Sequence, residues 1–511
     1  MRNLQLYLLL IVCAFAGVAM AFLFDDSCQQ DGGLHFLFAK WAWKHHELFV
    51  GVWSRPLFTF LYSFPALISY RAARLFTVLI CLAIAWQTWR LAEDLRIKRA
   101  PFAIVLLWLQ PSFFLYSADN MTEPIFTLTF VIALRLHHRG YLKAGMFVAS
   151  LMILARPEGF FLGILWAVWI LIGQSSKATP NLQPAVRNPQ PATRSLQSAV
   201  CNLQSAIRSP QSAIRNPQSA IRSLPLLASG AFIWWLTALI ITGDPLFIKH
   251  NWPSNWPVTG TIYGAAGLFA FPIRVPEAIG PFLLLPFLFG LFYLLKRREL
   301  FTLTSSFLLF FVLHTILRAF GLLGSAGYPR YLIAISPAMA IITLVGWNEM
   351  AGRWFSHTSR VFRTASASII ISISAYTNFV YADGAEWSRD ARAIGEIHSW
   401  FQSHPQPISR LIWSEPYSCI LFARDPWENP SFTRNREPDL RMLRDSPSGT
   451  LAVWDERVGP KWFGLKASDF EAAGYTRLHS QSFTLKGYIL DRSWFGYGGP
   501  RHQVIYLFYK Q

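Results

Sequence analysis

Long apolar runs recur along the first 381 residues of this 511-residue chain. A helix that crosses a bilayer needs about 20 mostly apolar residues, and it must satisfy its own backbone hydrogen bonds because lipid offers none. The runs predict about eleven spans, at 6–24, 71–89, 100–117, 122–136, 143–155, 157–173, 225–242, 279–295, 300–318, 330–347 and 365–381. We interpret the shorter apolar stretch 56–69 as re-entrant or interfacial. An all-α polytopic membrane protein is therefore predicted over residues 1–381.

Composition supports this class, since only 14% of the residues are charged and 53% are hydrophobic. A soluble protein carries about 25% charged residues. Most of the net charge of +18 falls on one side of the predicted membrane. With the N-terminus inside, the inner basic residues are Arg2, Arg90, Arg96, Lys98, Arg99, Arg135, Arg139, Lys143, Lys177, the arginines from Arg187 to Arg222, Lys296, Arg297, Arg298, Arg353, Arg360 and Arg363. The inner acids are Glu93, Asp94, Glu299 and Glu349. Cytoplasmic loops are rich in Lys and Arg, so the basic balance requires no nucleic-acid partner.

This orientation places the loop after the first span, and all residues beyond 381, outside a plasma (inner) membrane. The start of the chain has a second interpretation, because Arg2, the first apolar run and "AMA" at 19–21 resemble a signal peptide with its cleavage site. Under either interpretation Asp25 and Asp26 are expected outside.

Two further regions are predicted. Residues 181–222 are six copies of a seven-residue unit, with prolines in most copies and no acid. We interpret the segment 174–224 as a disordered cytoplasmic insertion. Residues 382–511 are not membrane-like; they contain a helical pattern at 386–402 and strand patterns at 410–415, 450–456 and 503–509. A small extracytoplasmic α/β domain is expected there. Cys28 and Cys419 share this side, as a disulfide or as two free thiols, and no zinc-binding spacing is present.

Ionisable and polar residues collect at the predicted outer ends of the spans. They include Arg55, Asp119, Glu123, Arg156, Glu158, His314, Arg318, Arg330 and Tyr331, which we predict to bind substrate. Charged groups at membrane depth are costly and tend to mark function. Interfacial snorkelling or helix capping is the alternative for any one of them. It is weaker for Asp25 and Asp26, because adjacent like charges repel.

Carboxylates and arginines at a lipid–water boundary suit a substrate that is part lipid and part polar, such as a sugar on a polyprenyl phosphate. A carboxylate can deprotonate an acceptor hydroxyl, and arginines can bind a phosphate in bidentate fashion and stabilise the charge of the leaving group. The sequence has no Gly-rich phosphate loop or dinucleotide fingerprint, which favours a lipid-linked donor over a nucleotide sugar.

Several short motifs, in this order, are similar to those of a known family. They are Asp25-Asp26 after the first span, "HFLFAKWAW", "SRPLFTFL", "TEP" at 122–124, "ARPEG" at 155–159, "GDPLF" at 243–247 and the pair Arg330-Tyr331. Over about residues 1–380 the chain thus resembles the GT-C superfamily of membrane glycosyltransferases, which includes mannosyl- and arabinosyltransferases that use polyprenyl-phosphate sugars. The segment "SCQQDGG" departs from the aromatic-rich run expected after the acidic pair, and so leaves the roles of Asp31 and His35 open.

The resemblance implies an inverting transferase of the cell envelope that moves a hexose or pentose to a glycan, lipid or protein acceptor. Asp25 would be the catalytic base, and Asp26 would orient the acceptor, hold a cation or raise the basicity of Asp25. No cofactor or metal ligand set is implied, although a divalent cation stays open. A lipid-linked sugar transporter and a non-catalytic envelope-binding relative are the alternatives. The spans show no internal repeat, and the charges lie at the boundary rather than the midplane, which disfavours a transporter.

The predicted orientation can be tested by cysteine labelling in intact cells. With Cys28 and Cys419 replaced by serine, we expect a membrane-impermeant maleimide to leave Cys201 unlabelled until the cells are permeabilised. The reason is that the repeat, which contains arginines and no acid, is predicted to lie inside. Efficient labelling of Cys201 in intact cells would invert the topology.

Overall fold

The computed structural model describes residues 2–23, 30–175, 221–252, 267–322, 325, 327–354, 359–383, 386–428, 440–485 and 501–511. The predicted catalytic pair, Asp25 and Asp26, lies outside the described residues, as do Cys28, Cys201 and residues 176–220 with nearly all of the repeat.

Helices form the membrane part of the described chain. In chain order they are α1 Arg2–Leu23, α2 Gln30–Trp41, α3 Pro56–Ile68, α4 Tyr70–Asp94, α5 Phe102–Trp108, α6 Pro111–Tyr116, α7 Glu123–His138, α8 Leu142–Ser150, α9 Met152–Ala155, α10 Gly159–Ser175, α11 Ser229–Thr242, α12 Phe247–His250, α13 Val275–Ile279, α14 Leu284–Arg297, α15 Phe301–Ala319, α16 Ser336–Trp354 and α17 Arg360–Asp383. Short 3₁₀ helices lie at His46–Phe49, Leu224–Ala228, Pro272–Arg274 and Pro329–Ile335.

Five helical stretches of the described chain are long and apolar enough to cross a membrane. They are Leu6–Leu23, Tyr70–Asp94, Leu224–Thr242, Phe301–Ala319 and Pro329–Trp354. A sixth would consist of Pro272–Ile279 and Leu284–Arg297, which are bent by 106° relative to each other. The predicted number of about eleven spans is not confirmed.

Many of the other predicted spans are helical but short or broken. The predicted span 100–117 is divided into α5 and α6, because Pro111 has no N–H to donate and pushes Gln110 out of the helical conformation. The apolar stretch 56–69 forms the 13-residue helix α3, which is too short to cross a bilayer. The class of mostly helical membrane protein is correct, and the number of full spans predicted from the apolar runs is not confirmed among the described residues.

The centre of the bundle is built around the stretch Pro329–Trp354, most of whose side chains are buried. Its helix α16 crosses α14 at two glycines. A Cβ atom on Gly346 would lie 1.9 Å from the carbonyl oxygen of Pro286, and one on Gly290 would lie 2.2 Å from that of Ile342. Only glycine allows this approach. The crossing fixes the position of α16, which directly follows the 3₁₀ helix with Arg330 and Tyr331.

Residues beyond 386 form the predicted α/β unit. Its elements are α18 Glu386–Ser403, β1 Arg410–Trp413, α19 Pro416–Leu421, α20 Leu440–Asp445, β2 Thr450–Asp455, α21 Val458–Phe463, α22 Ala467–Ala472, β3 Tyr475–Leu485 and β4 Arg501–Lys510. The four strands lie in the order β1-β2-β4-β3. β1 and β2 are parallel, and β4 is antiparallel to both of its neighbours. The predicted helix and three strands are present; β3 was not predicted, because its sequence is largely polar.

This unit packs on α2 and on the turn that follows it. The Nε2 of His45 lies 2.9 Å from Asp425 Oδ2, and Lys44 pairs with Asp425 at 3.2 Å and with Glu428. Helix α19 packs against α2, and the ring of Trp427 lies 5.3 Å from that of Phe38. The C-terminal domain therefore covers α2, the helix that carries Asp31 and His35.

Candidate active site

One buried carboxylate, that of Glu123, joins two arginines from distant parts of the chain. Arg156 Nη1 donates to Glu123 Oε1 over 2.6 Å, and Arg330 Nε lies 3.4 Å from the same oxygen. Glu123 is fully buried at the first position of α7, where the positive end of the helix dipole favours a negative charge. The "TEP", "ARPEG" and "RY" motifs therefore meet at one point.

Each arginine also has a second acidic partner. Arg156 Nη2 donates to Glu158 Oε1 over 2.8 Å, and Arg330 Nη2 forms an ion pair with Asp31 in the first turn of α2. Burial alone would raise the pKa of Glu158, but the positive charge of Arg156 and its hydrogen bond lower that pKa to about 2. Glu158 is therefore an anion at neutral pH, and the arginines are held in fixed orientations by charge on both sides.

Aromatic rings line the same cluster. The guanidinium of Arg156 lies 5.2 Å from the ring centroid of Tyr331, and that of Arg330 lies 4.5 Å from the ring of Tyr328. His314 stacks on the ring of Tyr331, with the two ring centroids 4.9 Å apart. Such cation–π contacts position an arginine without consuming its N–H donors.

Arg55 and His35 also belong to the cluster. Arg55 has a φ of 62°, a left-handed conformation that turns the chain into α3, and its Nη1 donates to Val52 over 2.8 Å. Burial lowers the pKa of Arg55 to about 10, with a further contribution from Arg156. Burial and the charges of Arg55, Arg156 and Arg330 lower the pKa of His35 well below its ordinary value, so His35 is a neutral imidazole.

Asp119 approaches the cluster from the turn between α6 and α7. Its Oδ1 accepts the backbone N–H of Asn120 over 2.8 Å, and burial raises its pKa to about 6. A Cβ atom on Gly32 of α2 would lie 2.7 Å from that oxygen, so a side chain there would collide with the Asp119 carboxylate. The glycine allows α2 to pack directly on this acid.

The structure thus brings together most of the residues that the sequence predicted to bind substrate. They are Arg55, Asp119, Glu123, Arg156, Glu158, His314, Arg330 and Tyr331. Arg318 holds the segment that leads to them, since its Nη1 donates to Ser325 over 3.2 Å and its side chain packs on Gly327. Asp31 and His35 were not assigned to the site. Their spacing of four residues, which places both on one face of a helix, was the available signal.

Several polar atoms of the cluster are left over after these contacts. Arg330 Nη1 and Arg55 Nε are buried donors without a hydrogen-bond acceptor among the residues that the structure describes, and Asp119 Oδ2 is a buried acceptor without a donor. Unsatisfied buried polar groups cost about 1–3 kcal/mol each. Two guanidinium donors beside an aromatic face are chemically suited to anionic oxygens such as those of a phosphate.

Comparison with known proteins rests on structure alone. No family model matches the chain, and no curated protein matches it. Two crystal structures of ArnT from Cupriavidus metallidurans are similar over 99% of this chain and 98% of theirs. The structure bound to undecaprenyl phosphate has a TM-score of 0.55 at 11% identity, and the apo structure has 0.53 at 12%. ArnT is a GT-C glycosyltransferase.

The chain has the GT-C fold. The resemblance predicted from the short motifs is confirmed at this level. A similarity that extends over nearly the whole of both chains includes the C-terminal sheet domain as well as the helices. The GT-C fold and the apolar helices together indicate an integral membrane protein.

The shared carboxylate gives a stability prediction. Glu123→Gln keeps the shape but removes the charge between two buried arginines, so we expect a loss of about 3 kcal/mol, as for a broken buried ion pair. The measurement is the thermal unfolding midpoint in detergent. The matched control is Glu299→Gln, because Glu299 is exposed and lies 3.9 Å from Arg297. Equal midpoints for the two variants would show that Glu123 does not hold the cluster.

Proposed function

We propose that the chain is a membrane glycosyltransferase that moves a sugar from a polyprenyl-phosphate donor to an acceptor hydroxyl outside the membrane, with inversion at the anomeric carbon. The observation that carries this proposal is the buried arginine cluster, with guanidinium donors that have no acceptor among the described residues, in a chain of the GT-C fold. The undecaprenyl phosphate bound to the ArnT structure supports a donor of the same lipid class.

Arg330 and Arg55 are the proposed phosphate ligands. Arg330 Nη1 and Arg55 Nε have the spare donors, whereas Arg156 is engaged on both sides by Glu123 and Glu158. When the bond between the anomeric carbon and the phosphate oxygen breaks, the leaving phosphate gains negative charge. Fixed guanidinium groups in a water-poor site stabilise that charge without reorganising. Asp31, Glu123 and Glu158 orient the arginines and balance part of their positive charge.

Asp25 is the proposed general base, as the resemblance implies. It follows α1, and six residues later the chain reaches Asp31, the ion-pair partner of Arg330. Asp26 would orient the acceptor, hold a cation or raise the basicity of Asp25. Asp119 is the second candidate base, because its pKa of about 6 and its Oδ2 without a donor suit proton transfer near neutral pH.

The arginine assignment predicts a selective defect. Arg330→Lys keeps the positive charge but loses the planar fork that reaches Asp31 and the phosphate together. We expect kcat/KM for the lipid-linked donor to fall by at least about tenfold, which corresponds to the loss of about 1.4 kcal/mol of transition-state stabilisation. Arg477→Lys is the matched control and should leave donor kinetics unchanged, since Arg477 pairs with Glu471 at an exposed position of the C-terminal domain. Unchanged donor kinetics in both Arg330→Lys and Arg55→Lys would remove the assignment.

The base assignment predicts a large loss of turnover. Purified protein is tested against a panel of labelled polyprenyl-phosphate sugars, and Asp25→Asn is expected to lower turnover by about 10²–10⁴-fold while donor binding persists. Asp26→Asn should be milder. Full activity in Asp25→Asn together with inactive Asp119→Asn would transfer the role to Asp119. Absence of turnover with every donor, in protein that binds them, would favour the transporter or the non-catalytic alternative.

A further inference from the structure

Three carboxylates meet inside the C-terminal domain, away from the arginine cluster. They belong to Asp390 in α18, Glu415 between β1 and α19, and Asp455 at the end of β2, and one ligand oxygen from each lies within 4.8 Å of the others. The strand pairing explains the meeting. β1 and β2 are parallel with Trp413 opposite Val453, so the residues two positions further along both chains emerge at the same edge of the sheet.

The three acids differ in the partners that they have among the described residues. Arg457 Nη2 lies 2.7 Å from Asp390 Oδ2. The Glu415 side chain, which is only 7% exposed, forms no hydrogen bond or ion pair within the described part of the chain. An ionised carboxylate that is buried without a partner costs several kcal/mol, and a bound cation would offset that cost for Glu415.

Asp455 has one oxygen fixed and one left over. Its Oδ1 accepts the backbone N–H groups of Arg457 and Val458 over 2.7 and 2.9 Å. The backbone N–H of Asp455 donates to the hydroxyl of Ser414 over 2.7 Å. Its Oδ2 is buried and has no donor among the described residues. The carboxylate is thus held rigidly, fully buried, with its second oxygen available beside Glu415.

We propose that Glu415, Asp455 and Asp390 bind a hard divalent cation, Ca²⁺ or Mg²⁺. Carboxylate oxygens are the ligands these ions prefer, whereas zinc sites generally include nitrogen or sulfur. The ion supplies a positive charge to Glu415 and a partner to the second oxygen of Asp455. The ion also joins α18 to the edge of the sheet. Helix α18 follows α17, the last helix of the membrane part, and α19, which follows β1 at this edge, packs on α2. This site is independent of the proposed glycosyl transfer.

Terbium luminescence tests the proposal on the full-length protein in detergent. Trp413 and Trp454 precede two of the ligands by two and one positions, so bound Tb³⁺ can be excited through tryptophan. After treatment with a chelator, we expect saturable binding of one Tb³⁺ per chain. Displacement by Ca²⁺ at lower concentration than Mg²⁺, or the reverse, identifies the ion that the site prefers.

The ligands are tested by near-isosteric variants. Glu415→Gln and Asp455→Asn should each weaken Tb³⁺ binding by at least about tenfold. Glu471→Gln, which removes an exposed acid paired with Arg477 in the same domain, should leave binding unchanged. In the native chain, added Ca²⁺ or Mg²⁺ should also raise the unfolding midpoint.

Absence of a saturable signal in the native chain overturns the site without reference to any variant. Unchanged affinity in both ligand variants overturns it as well. Neither result bears on the transferase proposal, which is measured by sugar transfer.

Discussion

The sharing of Glu123 between Arg156 and Arg330 is the interaction on which the geometry of the candidate site depends. The carboxylate stands at the start of α7, and its two partners come from the turn before α10 and from the 3₁₀ helix before α16. In a buried site, charges of opposite sign attract strongly. The attraction offsets the cost of removing both charges from water only when their geometry is well matched. Three separate parts of the membrane bundle are thereby fixed at one point.

The C-terminal domain packs on α2 and so supports the same site. Asp31 pairs with Arg330, and the helix that carries it is covered by α19 and by the contacts of Lys44 and His45 with Asp425. Helix α2 and the C-terminal domain thus together hold the carboxylate of Asp31 beside Arg330.

The motifs and the class of fold were predictable because both rest on local patterns. Apolar runs identify helices in lipid, and strand and helix periods identified α18, β1, β2 and β4. The number of full spans was not predictable in this way, since Pro111 and the bend after Ile279 interrupt apolar runs that look continuous. β3 escaped prediction because an edge strand that pairs only with β4 needs little apolar character.

The sequence by itself determined that this chain belongs in a membrane, that its basic residues collect between the spans, and that acids and arginines recur at the ends of the spans. Only the tertiary structure decided which of those charges meet. Glu123, Arg156 and Arg330 are far apart in the chain, and so are Asp390, Glu415 and Asp455. Their pairing follows from helix crossings and strand register, and long-range packing of this kind leaves no periodic trace in the sequence around each residue.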